Sequence, residues 1–409
     1  MPENEITSKQ KSQLKWYNAL AIFMLGAGSA ATSATTSMIN TIAKEFVGVP
    51  VETVRLVSTI PSLAALFSSM LLGPVIGKKI SYRTTSIIGF TLMFLTGVLP
   101  GFTHNIYVML ALRFAFGFGI GMLAFGNAIS MLTYDDVDTR TKMTAWFNVV
   151  NRIFTLVFTM GVGILGEISV KASFFVYGLL LIPLIFTIFF LKEPEKRTDA
   201  EKTSKIKIDF SFGKLSWFWL VFSPICLLFS YPRNLMISTL VAEKGWGASA
   251  IAGVLMTVYT FSGLAVNVIM PFLRKLMRRR LLSLFMLLMV IGTALISFAQ
   301  NIWMMLFGMA ICGIGYTGMG PLVTLYGATV TERHHMAFWS AMSNVLIRLI
   351  IVLSGYWITF CNNITHNPAT GTLNVAIAWF ALLAVLFFII DPRPQKIKES
   401  DEAELAAKK

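Results

Sequence analysis

Arg152, in NVVNRIF, and Arg348, in SNVLIRLI, each sit near the middle of a long apolar run. A guanidinium is permanently charged and presents five donors in a planar fork that matches a carboxylate or phosphate. Placing one at the centre of a bilayer helix costs about 3 kcal/mol on insertion scales. Arg113, in RFAFGFG, and Arg233, in FSYPRNL, lie in comparable surroundings. The 20 Asp and Glu fall in tails, loops or a central linker, Glu167 and Glu332 just at or beyond the ends of apolar runs, and the four His lie in loops. Four buried cations therefore find no carboxylate of the chain at membrane depth, an unfavourable burial on the order of 10 kcal/mol. A water-filled cavity relieves part of that cost, and an anionic substrate that completes the charge relieves more.

The elements that must carry these residues follow from composition. The chain has 409 residues, 56% hydrophobic and 13% charged, with mean hydropathy +0.70. This excludes an ordinary soluble domain. Apolar runs of about 20 residues are long enough to cross a bilayer as helices. Twelve spans are predicted: Trp16–Thr41, Thr53–Ile76, Thr84–Phe102, Ile106–Leu132, Met143–Leu165, Ala172–Leu191, Leu215–Val241, Ala250–Leu273, Leu281–Phe298, Ile302–Thr329, Met336–Phe360 and Leu373–Ile390. No removable signal peptide is expected before Trp16. Cys226, Cys312 and Cys361 give no even disulfide framework and read as small packing residues.

Most of the 34 Lys and Arg fall in alternate segments: the N-terminus, the loops after spans two, four, eight and ten, the linker after span six, and the C-terminus. Lys44, Arg55, Lys171 and Lys244 fall on the other side. This asymmetry predicts a multi-pass protein of the cell membrane with both termini in the cytoplasm. The net charge of +14 is then a topology signal, and no nucleic-acid partner is expected. The partners expected are the bilayer and a small anionic substrate, with the chain as a monomer.

The sequence repeats itself. HNIYVMLALRFAFGFGIGM, from His104, matches QNIWMMLFGMAICGIGYTG, from Gln300, at an offset of 196, bringing Asn105 onto Asn301, Gly117 onto Gly313 and Gly119 onto Gly315. MTAWFNVVN, from Met143, matches MAFWSAMSN, from Met336, so that Trp146 falls on Trp339 and Asn151 on Asn344. LKEP and IIDP close spans six and twelve. This predicts an N-terminal six-helix bundle, residues 1–191, a cytoplasmic linker, 192–214, and a C-terminal six-helix bundle with a short tail, 215–409. Parallel repeats of this kind build many secondary transporters.

With twelve spans, a charged linker and duplicated halves over its whole length, the chain resembles the major facilitator superfamily. RFAFGFGIG, Arg113–Gly121, is similar to the family's span-four arginine with spaced glycines. GPVIGKKISYR resembles its loop motif between spans two and three, but Gly77 and Lys78 stand where an aspartate is usual, which puts that latch in doubt. The resemblance implies an all-α membrane fold with a substrate site between the halves. Among anion-handling members the chain resembles oxalate–formate-type exchangers through Arg348 in span eleven, without their basic residue in span eight. It resembles sugar-phosphate exchangers through Arg233 in span seven, without one in span one.

For Arg113 the resemblance implies a structural arginine bonded to loosened backbone, with substrate contact as the alternative. Arg233 follows Pro232 and either satisfies a carbonyl freed by the proline or lines a cavity. In the repeat alignment Arg348 corresponds to Thr155, three positions from Arg152, so the two arginines project from nearly the same face of equivalent helices. They are the expected clamp on an anion. Asn148 and Asn151 lie within a turn of Arg152, and Asn344 a turn before Arg348. Tyr259, Asn267, Asn127 and Tyr326 are further candidates to line the cavity. GYTGMGP, Gly315–Pro321, predicts a bend or break in span ten.

No nucleotide loop, metal cluster or catalytic triad is present, so no cofactor and no enzymatic activity are expected. The function expected is secondary transport of a small organic anion of carboxylate, phosphate or sulfonate type, by exchange or substrate-linked symport. The alternatives are a multidrug or amphiphile exporter, which would favour acidic residues in its cavity, and a transporter-like receptor, which would usually add a cytoplasmic domain.

Overall fold

Helices begin where the sequence supplies caps. Ser81 Oγ accepts from Thr84 N at 3.1 Å and Asn105 Oδ1 from Tyr107 N at 2.9 Å. Ser169 Oγ accepts from Ala172 N at 3.0 Å and Asn301 Oδ1 from Met304 N at 2.8 Å. Each satisfies one of the donors that a helix start leaves open. Asn105 and Asn301, paired by the repeat, thus perform the same task. The computed structural model describes residues 16–73, 75–77, 79–125, 129, 137–193, 213–247, 249–332, 335–368, 370–395 and 397–399.

Twelve helical segments result among the described residues: α1 Trp16–Glu45, α2 Val51–Leu72, α3 Tyr82–Phe102, α4 Ile106–Met122, α5 Val137–Ile168, α6 Val170–Phe190, α7 Lys214–Glu243, α8 Ser249–Met277, α9 Leu281–Ser297, α10 Ile302–Val330, α11 Met336–Thr365 and α12 Gly371–Ile389. Eleven of the described segments are long and apolar enough to cross a membrane, and α4 is a shorter apolar helix that gives way to a turn at 123–125, most of its remaining predicted continuation lying outside those residues. The predicted ends shift by a few residues. Helix α2 stops at Leu72, and α5 and α11 extend well past their apolar runs, because helical bonding continues through polar turns that hydropathy alone assigns to loops.

Two helices are interrupted. In α1 the residues Ala31–Met38 form 3-10 turns between α-helical pieces. This tract, ATSATTSM, holds hydroxyls that bond back to the chain: Thr32 Oγ1 to Ser29 O at 2.8 Å and Ser37 Oγ to Ala34 O at 3.0 Å. Such bonds compete with regular helix. Helix α7 breaks at Tyr231, where Pro232 has no N–H to continue the ladder. Of the bend or break expected in α10, the break does not occur. It runs as one helix with Pro321 inside, since a proline removes a single bond and the flanking turns keep theirs.

The chain forms two compact units, Met1–Ala200 with Gly247–Gly253, and Glu201–Trp246 with Val254–Lys409. Within each, the repeated glycines seat one helix on another. A Cβ at Gly119 would meet Gly89 O at 2.9 Å, and one at Gly315 would meet Phe285 O at 3.0 Å. Gly117 and Gly313 press on the backbone of Pro61 and Tyr259 in the same way, the close approach that small residues permit between membrane helices. The core of the second unit includes Trp219, Phe285, Met289, Trp339, Phe380 and Phe387.

At the α2–α3 end of the first unit, Glu193 accepts from Tyr82 N at 2.8 Å and Arg83 N at 2.9 Å, and Arg83 Nη2 donates to Ile188 O at 2.6 Å. The second unit repeats the arginine contact, with Arg279 Nη2 donating to Ile389 O at 2.9 Å. Its acidic residue, Asp391, pairs instead with Arg393 at 2.8 Å. Burial pushes the Asp391 carboxyl up, but the hydrogen bonds and charge of Arg393, with Lys398 beyond, outweigh that and hold it below the usual carboxylate range.

Candidate functional site

Arg113 is fully buried in the first unit. Its Nε donates to Val57 O on α2 at 3.0 Å and its Nη2 to Thr35 Oγ1 in the 3-10 stretch of α1 at 3.2 Å. Its Cζ lies 4.6 Å from the Phe116 centroid and 5.3 Å from that of Tyr177. Tyr177 in turn donates its hydroxyl to Ala31 O at 3.3 Å. One guanidinium thus ties α4 to α1, α2 and α6, while Nη1 has no hydrogen-bond partner among the described residues. Hydrogen bonds to a charged group contribute about 1.5–3 kcal/mol each. These contacts give Arg113 a structural role at the irregular part of α1.

Arg233 is equally buried in the second unit, directly after the break in α7. Its hydrogen bonds are weak and local: Nη2 and Nε reach Asn234 Oδ1 at 3.2 and 3.4 Å. Its Cζ stands 4.5 Å from the ring of Tyr259 on α8, a cation–π contact strengthened by desolvation. Cys312 on α10 and the Tyr259 hydroxyl also act on it. Nη1 has no partner of hydrogen-bonding geometry among the described residues. Among the described residues no carboxylate is among the groups that act on Arg233. Tyr316 on α10 lies within electrostatic range of Arg233 and Tyr259.

The other expected residues are distributed as follows. Arg152 on α5 is half-buried, and no hydrogen bond or ion pair joins it to another described residue. Arg348 on α11 is half-buried and Asn344 exposed. Asn151 spends its amide on α1, donating Nδ2–H to Gly26 O at 2.8 Å. Tyr326 is buried against Trp219, with centroids 5.2 Å apart, and stands ten residues beyond Tyr316, about 15 Å along the helix. Asn127 lies outside the described residues, as do the side chains of Asn148 and Asn267.

The structure therefore brings Arg233 and Tyr259 together and joins to them Tyr231, Cys312 and Tyr316, which sequence reasoning passed over. A signal for Cys312 existed: the repeat places it on Phe116, the ring beneath Arg113. Each unit thus holds a buried guanidinium, supplied by α4 in one and by α7 in the other.

No protein of curated function matches the sequence. Among solved structures, a point mutant of the nucleoside transporter NupG is similar over 92% of this chain and 99% of its own, with a TM-score of 0.74 at 15% identity. A D-xylose-proton symporter is similar over 94% of this chain and 98% of its own, with a TM-score of 0.67 at 14% identity. At such identities the likeness concerns the fold. The profile of the Major Facilitator Superfamily matches residues 19–354 and, again, 227–409. With its helices, its repeated glycine contacts and its buried arginines set in that frame, the chain belongs to the major facilitator superfamily and is a multi-pass membrane transport protein, not an enzyme.

Proposed function

We propose that this transporter carries a small organic anion of carboxylate, phosphate or sulfonate type, by alternating access, through exchange or substrate-linked symport. We place it in the cell membrane with both termini in the cytoplasm, on the distribution of Lys and Arg. The observation that carries the anion reading is Arg233, a buried guanidinium whose Nη1 has no hydrogen-bond partner, and on which no carboxylate acts, among the described residues. An uncompensated buried charge is costly, and a bound anion offsets that cost. Arg152 and Arg348 supply further positive charge, a reading that rests on their repeat-related positions.

The similar solved structures are, by their titles, a nucleoside transporter and a D-xylose symporter, so neutral nucleosides and pentoses form the competing arm of the test. Purified protein is screened by thermal shift against carboxylates, phosphates, sulfonates, nucleosides and pentoses, and hits are followed by counterflow in proteoliposomes. Anions should stabilise the protein and drive counterflow, and Arg233→Gln should abolish both. Stabilisation by neutral sugars or nucleosides alone would overturn the reading.

A further inference from the structure

The surroundings of Arg233 extend into an aromatic group of the second unit. Phe229, four residues before Arg233, stacks on Trp379 of α12 with centroids 4.7 Å apart and planes 10° from parallel. Trp357 of α11 stands edge-on to Phe229 at 5.3 Å and 77°. All three rings are half-buried although they stand well within their helices. Trp379 lies beside the thiol of Cys226, and Phe229 places the aromatic group four residues from Arg233 on α7.

This cluster is rich in donors and poor in acceptors. Nη1 of Arg233 and Nε1 of both Trp357 and Trp379 are closed off without a partner of hydrogen-bonding geometry among the described residues. Trp379 has the Cys226 thiol, a weak acceptor, beside it. A buried donor left unmade is costly, and those of Arg233 and Trp357 call for acceptors from elsewhere. An indole N–H accepts nothing, so a ligand that satisfies these groups must bring oxygens. The same ligand must fit between flat rings.

We propose that the cluster formed by α7, α8, α10, α11 and α12 is a binding site for an aromatic monocarboxylate. Its carboxylate pairs with Arg233 over Tyr259, and its ring lies against Phe229, Trp357 and Trp379. The proposal rests on the anion reading and narrows it. Phe229 and Arg233 stand four residues apart on either side of the break in α7, so a single ring joined to its carboxyl group can meet both. A carboxylate takes two N–H donors of a guanidinium in one plane, and the rings favour an aromatic body over a saturated one of equal charge and similar size.

The test compares benzoate, cyclohexanecarboxylate and acetate on the full-length protein in nanodiscs, by calorimetry and thermal shift. Benzoate should bind a few-fold to about tenfold more tightly than cyclohexanecarboxylate, and acetate more weakly than either. Arg233→Gln should abolish binding of all three, with Arg233→Lys restoring part. Trp379→Leu, or Phe229→Leu should the first fail to fold, should bring benzoate and cyclohexanecarboxylate to equal affinity without abolishing either. Equal affinity for the two acids in the unmodified protein would overturn the aromatic proposal and leave the anion reading standing. An aromatic preference that survives both ring substitutions would overturn the location. Binding of inorganic phosphate or methanesulfonate with none of the three acids would overturn the carboxylate proposal alone. Failure of every anion to bind would remove the proposal and the anion reading together.

Discussion

Arg113 donates to Thr35 across 3.2 Å in the first unit, whereas Arg233, the fully buried arginine of the second, stands over the ring of Tyr259 at 4.5 Å. The consequences differ. Arg113 gives two hydrogen bonds to distant partners, whereas Arg233 gives long ones to its chain neighbour and meets Tyr259 and Cys312.

Replacing Arg113 by glutamine should therefore destabilise the fold. Two charge-assisted hydrogen bonds of about 1.5–3 kcal/mol each are at stake, and the buried Thr35 and Val57 groups lose their donor. Low expression and an early melt are expected, with the ligand profile of the folded fraction unchanged. A well-folded variant with selectively lost binding would reassign Arg113 to the substrate.

Arg152 and Arg348 should show the reverse pattern. Glutamine at either position keeps hydrogen-bonding capacity and removes charge, so anion affinity should fall about tenfold to a hundredfold. Lysine keeps the charge without the planar fork and should restore only part. The empty protein should melt no earlier than the parent, because a desolvated charge is gone. Normal binding by folded variants would exclude both residues from the site.

Orientation is open to direct labelling. Cysteine introduced at Asn105 or Thr370 should react with an impermeant reagent outside intact cells, and cysteine at Ser81 or Thr203 should not. Labelling in the opposite sense would invert the topology assigned from the basic residues.

Asp391 predicts a pH dependence of stability. Its carboxyl sits below the usual range, held there by Arg393 and Lys398 against the effect of burial. A folded-state pKa below the unfolded one adds stability above the unfolded value, about 4, and that stability is lost as pH falls through the folded value. Asp391→Asn should lower the melting temperature at neutral pH, and the gap to the parent should close on acidification below about pH 4. Equal melting temperatures at neutral pH, or a gap undiminished in acid, would contradict the assignment.

Apolar run length and the alternation of basic residues depend on composition along the chain, so the sequence by itself determined the number and approximate limits of the helices. The repeat made the like roles of Asn105 and Asn301, and of Gly119 and Gly315, readable as caps and contact points. Arg113 and Arg233 were also marked as charges without acidic partners, since a missing carboxylate is visible in one dimension. Which of the two is tied to the fold was decided only by the tertiary structure. That depends on whether Thr35 and Val57, far away in the chain, come within hydrogen-bonding distance. Arg233, just after the break at Tyr231, stands over Tyr259, a residue from a helix that periodicity cannot place beside it. Asn151 and Tyr326 make the same point, for nothing local shows that one braces Gly26 and the other packs on Trp219. Hydrophobic spacing fixes which residues turn inward, and the packing of whole helices fixes what they meet there.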